Sequence, residues 1–537
     1  MPILVILALL LVSSAAIAIS DAVKPRVSRS WIIALVGAAI SWLGVLLLRL
    51  YLPTDLSLFA WQPESLFHTQ LFLEINYDNW PYVLSLVTLC MAVIFTDSTR
   101  SFLPSSPKAW ANSLAVTAVN LLALFAGDPN MLIFAWVLVD TLEFVSALPS
   151  NQVNHSAARL PTVFGVRMLS TLALAAGTVS GWMVEPGFTL SAIPSQAGIF
   201  FLLAAGLRLG VLPLNLPFLQ SAEEKNGPAL LLRLSPVASS LAVIARLPAN
   251  LLANQPVWLT LFKVLTTVAA LYAAGMWLTG KSQHDSRPYW IIALAAFATM
   301  CALNGAAPAS RAWGTALLLS GSMLFLFDPP IRRIRFLPIL GILGIIGLPY
   351  TLAASGWEGL MGTHFTFGSA LMLLAHTMLV LGYLRYTFEI TGTVTGLERH
   401  ARITYPLGLI LVVQTIVILT LGGWPGSLTR GVWVASLASL LMAGLIAGFY
   451  FWQSAQISAL IQKQNFRFYR LGSMLIKGFQ NILSLRWLYQ SVNWIFRQAA
   501  VVGFTISTII EGEGGILWSL VFLVILITLF LAGVPTP

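Results

Sequence analysis

Apolar stretches close to twenty residues long recur sixteen times along this chain, and nothing else in the sequence constrains it as much. They lie near 2–20, 31–51, 80–97, 109–126, 130–148, 162–183, 196–218, 228–247, 257–279, 288–304, 311–327, 337–356, 365–388, 404–423, 431–452 and 515–533. Each is bounded by glycine, proline or charge. A helix needs about 20 apolar residues to cross a bilayer, because its backbone must then be hydrogen-bonded within the segment. The chain is therefore read as an all-α polytopic membrane protein. Composition supports this: 58% of residues are hydrophobic and 9% charged, against about 25% charged in a soluble domain. Soluble enzymes, nucleic-acid binders and disordered chains are excluded, and the net charge of +10 is assigned to basic loops. Cys90 and Cys301 both lie in apolar stretches, which leaves no disulfide framework and no metal-binding pair. No cofactor or metal site is expected, and no redox or hydrolytic chemistry of the chain's own.

The charges orient the spans. No basic residue precedes the first segment, whereas Lys24, Arg26 and Arg29 follow it. This pattern suits an uncleaved first helix with its N-terminus outside. With that start, most of the 29 basic residues fall on the inner side, Lys108, Arg287, Arg335, Arg385 and Arg402 among them. The outer loops hold Arg49, Arg246, Arg311 and Arg430, and the longest of them, 52–79, is acidic. Residues 453–514 are too polar to cross. There Lys463, Arg467, Arg470 and Lys477 share one helical face, while Leu471, Leu475, Phe479 and Ile482 form an apolar stripe. That is the pattern of an amphipathic helix lying laterally, against lipid headgroups or along neighbouring spans.

Six ionisable residues fall inside spans: Asp140, Glu143, Arg167, Arg208, Arg233 and Lys263. At mid-helix each costs about 2.5–3.5 kcal/mol, so they are expected to meet partners or water inside the bundle. Asp140 and Glu143, three residues apart, share a helix face and repel unless a cation lies between them. Arg208 and Arg233 are the nearest candidates by helix order. Arg167, Arg233 and Lys263 lie close enough to span ends to snorkel. Gly210, Pro213 and Pro217 predict a break in the seventh span, and Gly347 with Pro349 a break in the twelfth. Broken helices at membrane depth are tolerated where they line a polar cavity. Two breaks five spans apart suggest two five-helix units, the second inverted relative to the first.

At these residues the chain resembles the antiporter-like membrane subunits of respiratory complex I and of multi-subunit cation/proton antiporters. GLRLGVLPLNLPFLQ with GPALLLRLSPVASSLAVIAR, between Gly206 and Arg246, resembles that family's seventh and eighth helices. FAWVLVDTLEF (134–144) resembles the acidic fifth helix, VRMLS (166–170) the start of the sixth, and IGLPYTLAASGWEG (346–359) the broken twelfth. The resemblance implies three N-terminal helices (1–108), repeats over 109–250 and 251–390, two further helices (391–452), a lateral helix (453–514) and a last span (515–537). It implies a proton path through an acid on helix five, lysines on helices seven and eight, and a charged group on helix twelve.

The sequence departs at most of these points. The helix-five acid falls on Val137, with Asp140 and Glu143 one and two turns on. The helix-seven lysine falls on Arg208, which keeps its proton and sets a field rather than relaying. The helix-eight lysine falls near Ser239, and the twelfth-helix charge on Trp357 or Glu358. His376, midway along the thirteenth span, can titrate near neutral pH, although a lone histidine in an apolar helix is more often a satisfied core residue.

The function implied is a proton-translocating subunit of a complex I-like or related ion-translocating assembly in the cell (inner) membrane. Its partners would be other membrane subunits, the lipid bilayer, and protons or monovalent cations. Any NADH:quinone oxidoreductase label would belong to that assembly. The alternatives are a diverged, non-pumping scaffold subunit and a stand-alone cation/proton transporter. The lateral segment favours assembly with neighbours over the stand-alone reading.

Overall fold

The computed structural model describes residues 2–23, 27–59, 71–97, 107–147, 160–216, 227–252, 255–280, 282–327, 334–362, 365–388 and 401–460, with parts of 494–528. The chain divides into two units, Met1–Tyr450 and Phe451–Pro537. In the first unit, helices stand at all fifteen spans expected before residue 453. They are α1 Pro2–Val23, α2 Val27–Leu48, α3 Trp80–Asp97, α4 Pro107–Phe125, α5 Pro129–Ala147 and α6 Leu160–Trp182. Then follow α7 Ser195–Leu209, α8 Gly227–Ala245, α9 Pro256–Thr279, α10 Gln283–Leu303 and α11 Ala307–Leu326. The twelfth span is three pieces, α12 Phe336–Gly341, α13 Leu343–Ile346 and α14 Ala354–Met361. α15 Phe367–Phe388, α16 Ala401–Gly422 and α17 Trp433–Leu460 complete the series. Eleven described helices are long and apolar enough to cross a membrane. The last residues of α17, 451–460, belong to the second unit, whose other described helical residues lie within 494–507 and 519–528. The polar core of the expected lateral helix, 461–493, lies outside the described residues.

Burial sorts the helices into layers. In α10, α3 and α8, 94%, 89% and 83% of the apolar window is buried, against 33% in α1 and α2 and 28% in α6. The first three, with α11, are the core of the bundle, and the others are its flanks. Neighbours in sequence pack together: α9 on α10, α10 on α11, α6 on α7. Longer connections place α4 on α8, α9 on α15 and α3 on α16. The core is wired by side chains that donate to carbonyls of other helices, such as Trp290 to Leu317 at 3.2 Å and Trp277 to Leu379 at 3.2 Å. A mid-helix carbonyl has a second lone pair to spare, and a buried indole N–H needs a partner.

The acidic loop 52–79 holds more regular structure than expected. Strands β1 (Thr54–Phe59) and β2 (Leu71–Ile75) pair antiparallel, with Asp55 opposite Glu74 and Leu56 opposite Leu73. Leu73 and Ile75 are fully buried while Glu74, between them, is not. That is the period-two alternation of a half-buried strand. Behind the hairpin, Asp128 caps α5. Its carboxylate accepts the amides of Asn130 and Met131, each at 3.1 Å, and of Phe72 on β2 at 3.4 Å. Burial pushes the Asp128 carboxyl above the usual carboxylate range despite these donors. A raised carboxyl binds its proton more tightly folded than unfolded. It therefore costs stability as pH rises above the ordinary value of about 3.9. Asp128→Ala should lose the cap, about 0.5–2 kcal/mol. Asp128→Asn keeps an accepting oxygen and should gain on wild type between about pH 4 and pH 8. Melting temperatures at both pH values check the sign.

Several arginines expected in loops are built into the bundle instead. Arg311 lies in the second turn of α11, 8% exposed, and pairs with Asp78 at 2.5 Å. Arg287, 2% exposed in α10, donates to Phe325 O at the C-terminus of α11, at 3.4 Å. Arg385 donates to Leu278 O near the end of α9, at 2.6 Å. A cation at a helix C-terminus meets unpaired carbonyls and the negative end of the macrodipole. Part of the basic excess at that end of the bundle thus serves as helix caps.

Candidate functional site

Four charges in the first half of the bundle meet at one place. α5 carries Trp136, Asp140 and Glu143 at spacings of four and three, so all three lie along one stripe of the helix. α7 ends at Leu209 because Gly210 takes the left-handed conformation (φ 75°) and Pro213 follows. The seventh helix therefore stops well short of the 196–218 expected, and Pro217 lies outside the described residues. Ending there leaves Arg208 in the last turn, where the helix dipole favours a cation.

The Arg208 guanidinium grips Asp140 in a bidentate fork, Nη1 to Oδ2 and Nη2 to Oδ1, both 2.7 Å. Asp140 is 1% exposed and Arg208 5%. Beneath the fork, the Arg208 guanidinium carbon stands 4.4 Å from the centroid of a Trp136 ring. The Trp136 indole in turn donates to Ser239 Oγ on α8, at 3.1 Å. Arg167 from α6 bridges both acids: it pairs with Glu143, and its Nη1 lies 3.5 Å from Asp140 Oδ1. Two carboxylates that would repel are thus interleaved with two guanidiniums, and the quartet sums to zero charge. Arg208 Nε and Glu143 Oε1 remain buried without a partner.

The expected pairing of Asp140 with Arg208 is therefore observed. The roles of Arg167 and Trp136 were not legible as such. Arg167 lies near enough to its span end to snorkel, yet it turns inward to both acids. Trp136 stands one turn before Asp140, so the i, i+4 spacing could have placed its ring beneath the fork. Val137, where the resemblance puts the family's acid, is 40% exposed and points away from the quartet. Ser239, where it puts a lysine, is occupied as the acceptor of Trp136.

The remaining predicted residues are placed as follows. Arg233 is 9% exposed in the second turn of α8. Lys263 is half-buried on α9, with Leu261, Val264 and Leu265 exposed around it, and has no carboxylate partner among the described residues. Glu358 is exposed on α14 and accepts from Thr429 Oγ1 at 3.0 Å, so it is not a buried charge of the twelfth helix.

The twelfth helix breaks as expected. α13 ends at Ile346, Gly347 is left-handed (φ 71°), and α14 begins at Ala354. His376 on α15, 1% exposed, faces this break: Nε2 lies 2.8 Å from Ile345 O and Nδ1 2.6 Å from Ser439 Oγ on α17. Trp357 and Ser436 donate to Ile346 O at 3.3 and 2.5 Å. No group of three or more His, Cys, Asp or Glu able to hold a metal occurs among the described residues.

No family model matches the chain, and no curated protein matches it in sequence. Solved structures do match in fold. A chain in the Mrp complex from Dietzia sp. DQ12-45-1b matches with TM-score 0.67 and 14% identity over 94% of this chain, which spans 63% of that one. A chain of the membrane-bound sulfane sulfur reductase (MBS), an archaeal respiratory membrane complex, matches with TM-score 0.71 and 14% identity over 97% of this chain and 99% of that one. A chain of respiratory complex I from Thermus thermophilus matches with TM-score 0.61 and 16% identity over 82% and 99%. The chain is thus an all-α polytopic membrane protein, as expected, and it is built like chains of the Mrp, MBS and complex I assemblies.

Proposed function

We propose that the chain is a proton-translocating, antiporter-like subunit of a multi-subunit membrane complex, with the Asp140–Arg208–Arg167–Glu143 quartet as its intramembrane charge centre. One observation carries the reading: an ion-pair quartet buried at a broken helix, in a chain with the fold of the Mrp, MBS and complex I chains. Intramembrane ionisable groups are costly and are functional by default. A helix interrupted at membrane depth is a place where a polar path can form. Packing supports two related five-helix units: α4 lies on α5 and α8 as α9 lies on α10 and α15. An odd number of helices per unit would invert the second. The acidic hairpin at one end, against the basic helix caps at the other, supports an N-terminus outside the cell membrane.

Arginine does not relay protons, so the carboxylates would carry them and the arginines would set the field. Proton uptake under an imposed potential tests this, in proteoliposomes and in the purified native complex. Asp140→Asn with Glu143→Gln should bring flux down to that of empty vesicles. This pair strips both acids from two guanidiniums, so the charge-balanced pair Arg208→Met with Asp140→Leu is measured beside it.

A second reading has its own support. Both oxygens of Asp140 are held by Arg208, and serine stands where the resemblance puts a lysine. A closed quartet of this kind suits a scaffold subunit whose path is lost. Flux indifferent to both variant pairs, in an intact complex, would establish the scaffold.

A further inference from the structure

Pro349 creates a vacancy that His376 fills. In an unbroken helix the carbonyl of Ile345 would accept the amide of residue 349, four positions on. Proline has no N–H. The Ile345 carbonyl is therefore orphaned by the sequence at the point where the helix opens, inside an apolar bundle. A buried carbonyl without a donor costs about 1–3 kcal/mol. His376 Nε2 lies 2.8 Å from that oxygen. A carbonyl only accepts, so Nε2 must carry the hydrogen. With Nε2 protonated, the neutral ring leaves Nδ1 as an acceptor, and the Ser439 hydroxyl lies 2.6 Å from it. Thr377 Oγ1, one residue beyond His376, lies 3.3 Å from Ser439 Oγ. The ring is wedged among Phe297, Trp313 and Trp357, with centroids at 6.2, 5.6 and 4.9 Å. The next carbonyl, Ile346, is also held from outside its own helix turn, by Trp357 and by Ser436 of α17.

We infer that His376 is a positioning residue that clamps the break of the twelfth span, and not a proton carrier. Both ring nitrogens are committed: one end holds Ile345 on α13, the other holds Ser439 on α17. The imidazole thus ties α15 and α17 to the broken helix and fixes where the chain leaves it. This inference is independent of the proposed transport, since it concerns which groups satisfy the break.

Side-chain shape provides the test. Glutamine places an N–H donor near the position of Nε2 and can still reach Ile345. Asparagine is too short to reach and retains a contact only near Ser439. Leucine retains neither. Backbone hydrogen exchange over residues 342–358 is measured in the full chain in nanodiscs. His376→Leu should speed it about ten-fold or more, His376→Asn nearly as much, and His376→Gln should stay within about three-fold of wild type. Proton uptake, if the wild type shows any, should follow the same order, with the glutamine variant active. In parallel, ¹⁵N-histidine spectra of wild type, assigned by comparison with His376→Gln, should show a neutral ring protonated at Nε2 alone. An imidazolium, an Nδ1–H tautomer, or exchange in the glutamine variant as fast as in leucine would overturn the clamp. Flux lost in the glutamine variant while exchange stays slow would make His376 a carrier instead. Absence of flux in wild type would bear on the transport reading alone, because the exchange and spectra still decide the clamp.

Discussion

Arg208→Met should cost the folded chain about 3–5 kcal/mol, and Asp140→Leu a similar amount, while the double variant should recover most of the loss. Removing Arg208 alone leaves Asp140 to be shared with Glu143 by a single guanidinium. Removing Asp140 alone leaves two guanidiniums and one carboxylate in a site that is almost dry. Removing both leaves the Arg167–Glu143 pair, which is neutral by itself. Arg167 lies 3.5 Å from Asp140, so it softens the first single variant and the loss falls toward the lower end of the range. Methionine fills part of the volume over Trp136 but forfeits the guanidinium-on-ring contact, about 0.5–2 kcal/mol. Thermal unfolding of the four species in nanodiscs, followed by near-ultraviolet circular dichroism, completes the cycle. A coupling of about 3 kcal/mol is expected, and additive single effects would mean that the two groups do not sense each other. The double variant also separates folding from conduction: a well-folded protein without flux would place the path through Asp140.

Gly431→Ala should be nearly as damaging, by about 2–5 kcal/mol, although it touches no charge. Gly431 has φ 58°, a conformation L-residues rarely adopt, and a Cβ there would overlap the carbonyl oxygen of Ala354, the first residue of α14. That oxygen is backbone and cannot swing aside. The loop before α17 is tied to the break of the twelfth span here: Tyr350 N donates to Thr429 O at 2.9 Å, and Thr429 Oγ1 accepts from Gly431 N at 3.2 Å. Pushing Gly431 away from Ala354 would pull on both. Gly444→Ala on α17 is the control. Its Cβ would meet nothing within 4 Å, so alanine's better helix propensity should leave stability unchanged or raise it by about 0.4–1 kcal/mol. Equal melting temperatures for the two variants would show that the loop does not brace the break.

Much of the architecture was legible because membranes simplify the code. A span must be apolar, close to twenty residues long and helical, and that is readable from composition in a window. Both breaks were legible for a similar reason: Gly210 with Pro213, and Gly347 with Pro349, forbid an unbroken helix whatever surrounds them. The hairpin over 54–75 was missed because five- and six-residue strands in a polar loop give too short an alternation to stand out. The buried roles of Arg287 and Arg311 were missed because a charge near a span end reads as a loop residue. Only packing tells whether it faces solvent or a neighbouring helix's carbonyls.

The candidate site divides the same way. The presence of Asp140, Glu143, Arg167 and Arg208 inside spans, and the need for them to pair, followed from the cost of an unpaired charge in hydrocarbon. The choice of partners did not, because it depends on how α5, α6 and α7 are rotated against one another. Rotation is set by side-chain packing between helices, on which hydropathy is silent. It turns Asp140 inward and Val137 outward on the same helix, and it leaves Lys263 and Glu358 apart from the quartet. His376 is the clearest case. From the sequence it was one histidine in an apolar helix, with titration and burial both open. Only the tertiary structure sets its Nε2 against a carbonyl that a proline, twenty-seven residues earlier, had left without a donor, and its Nδ1 against the Ser439 hydroxyl.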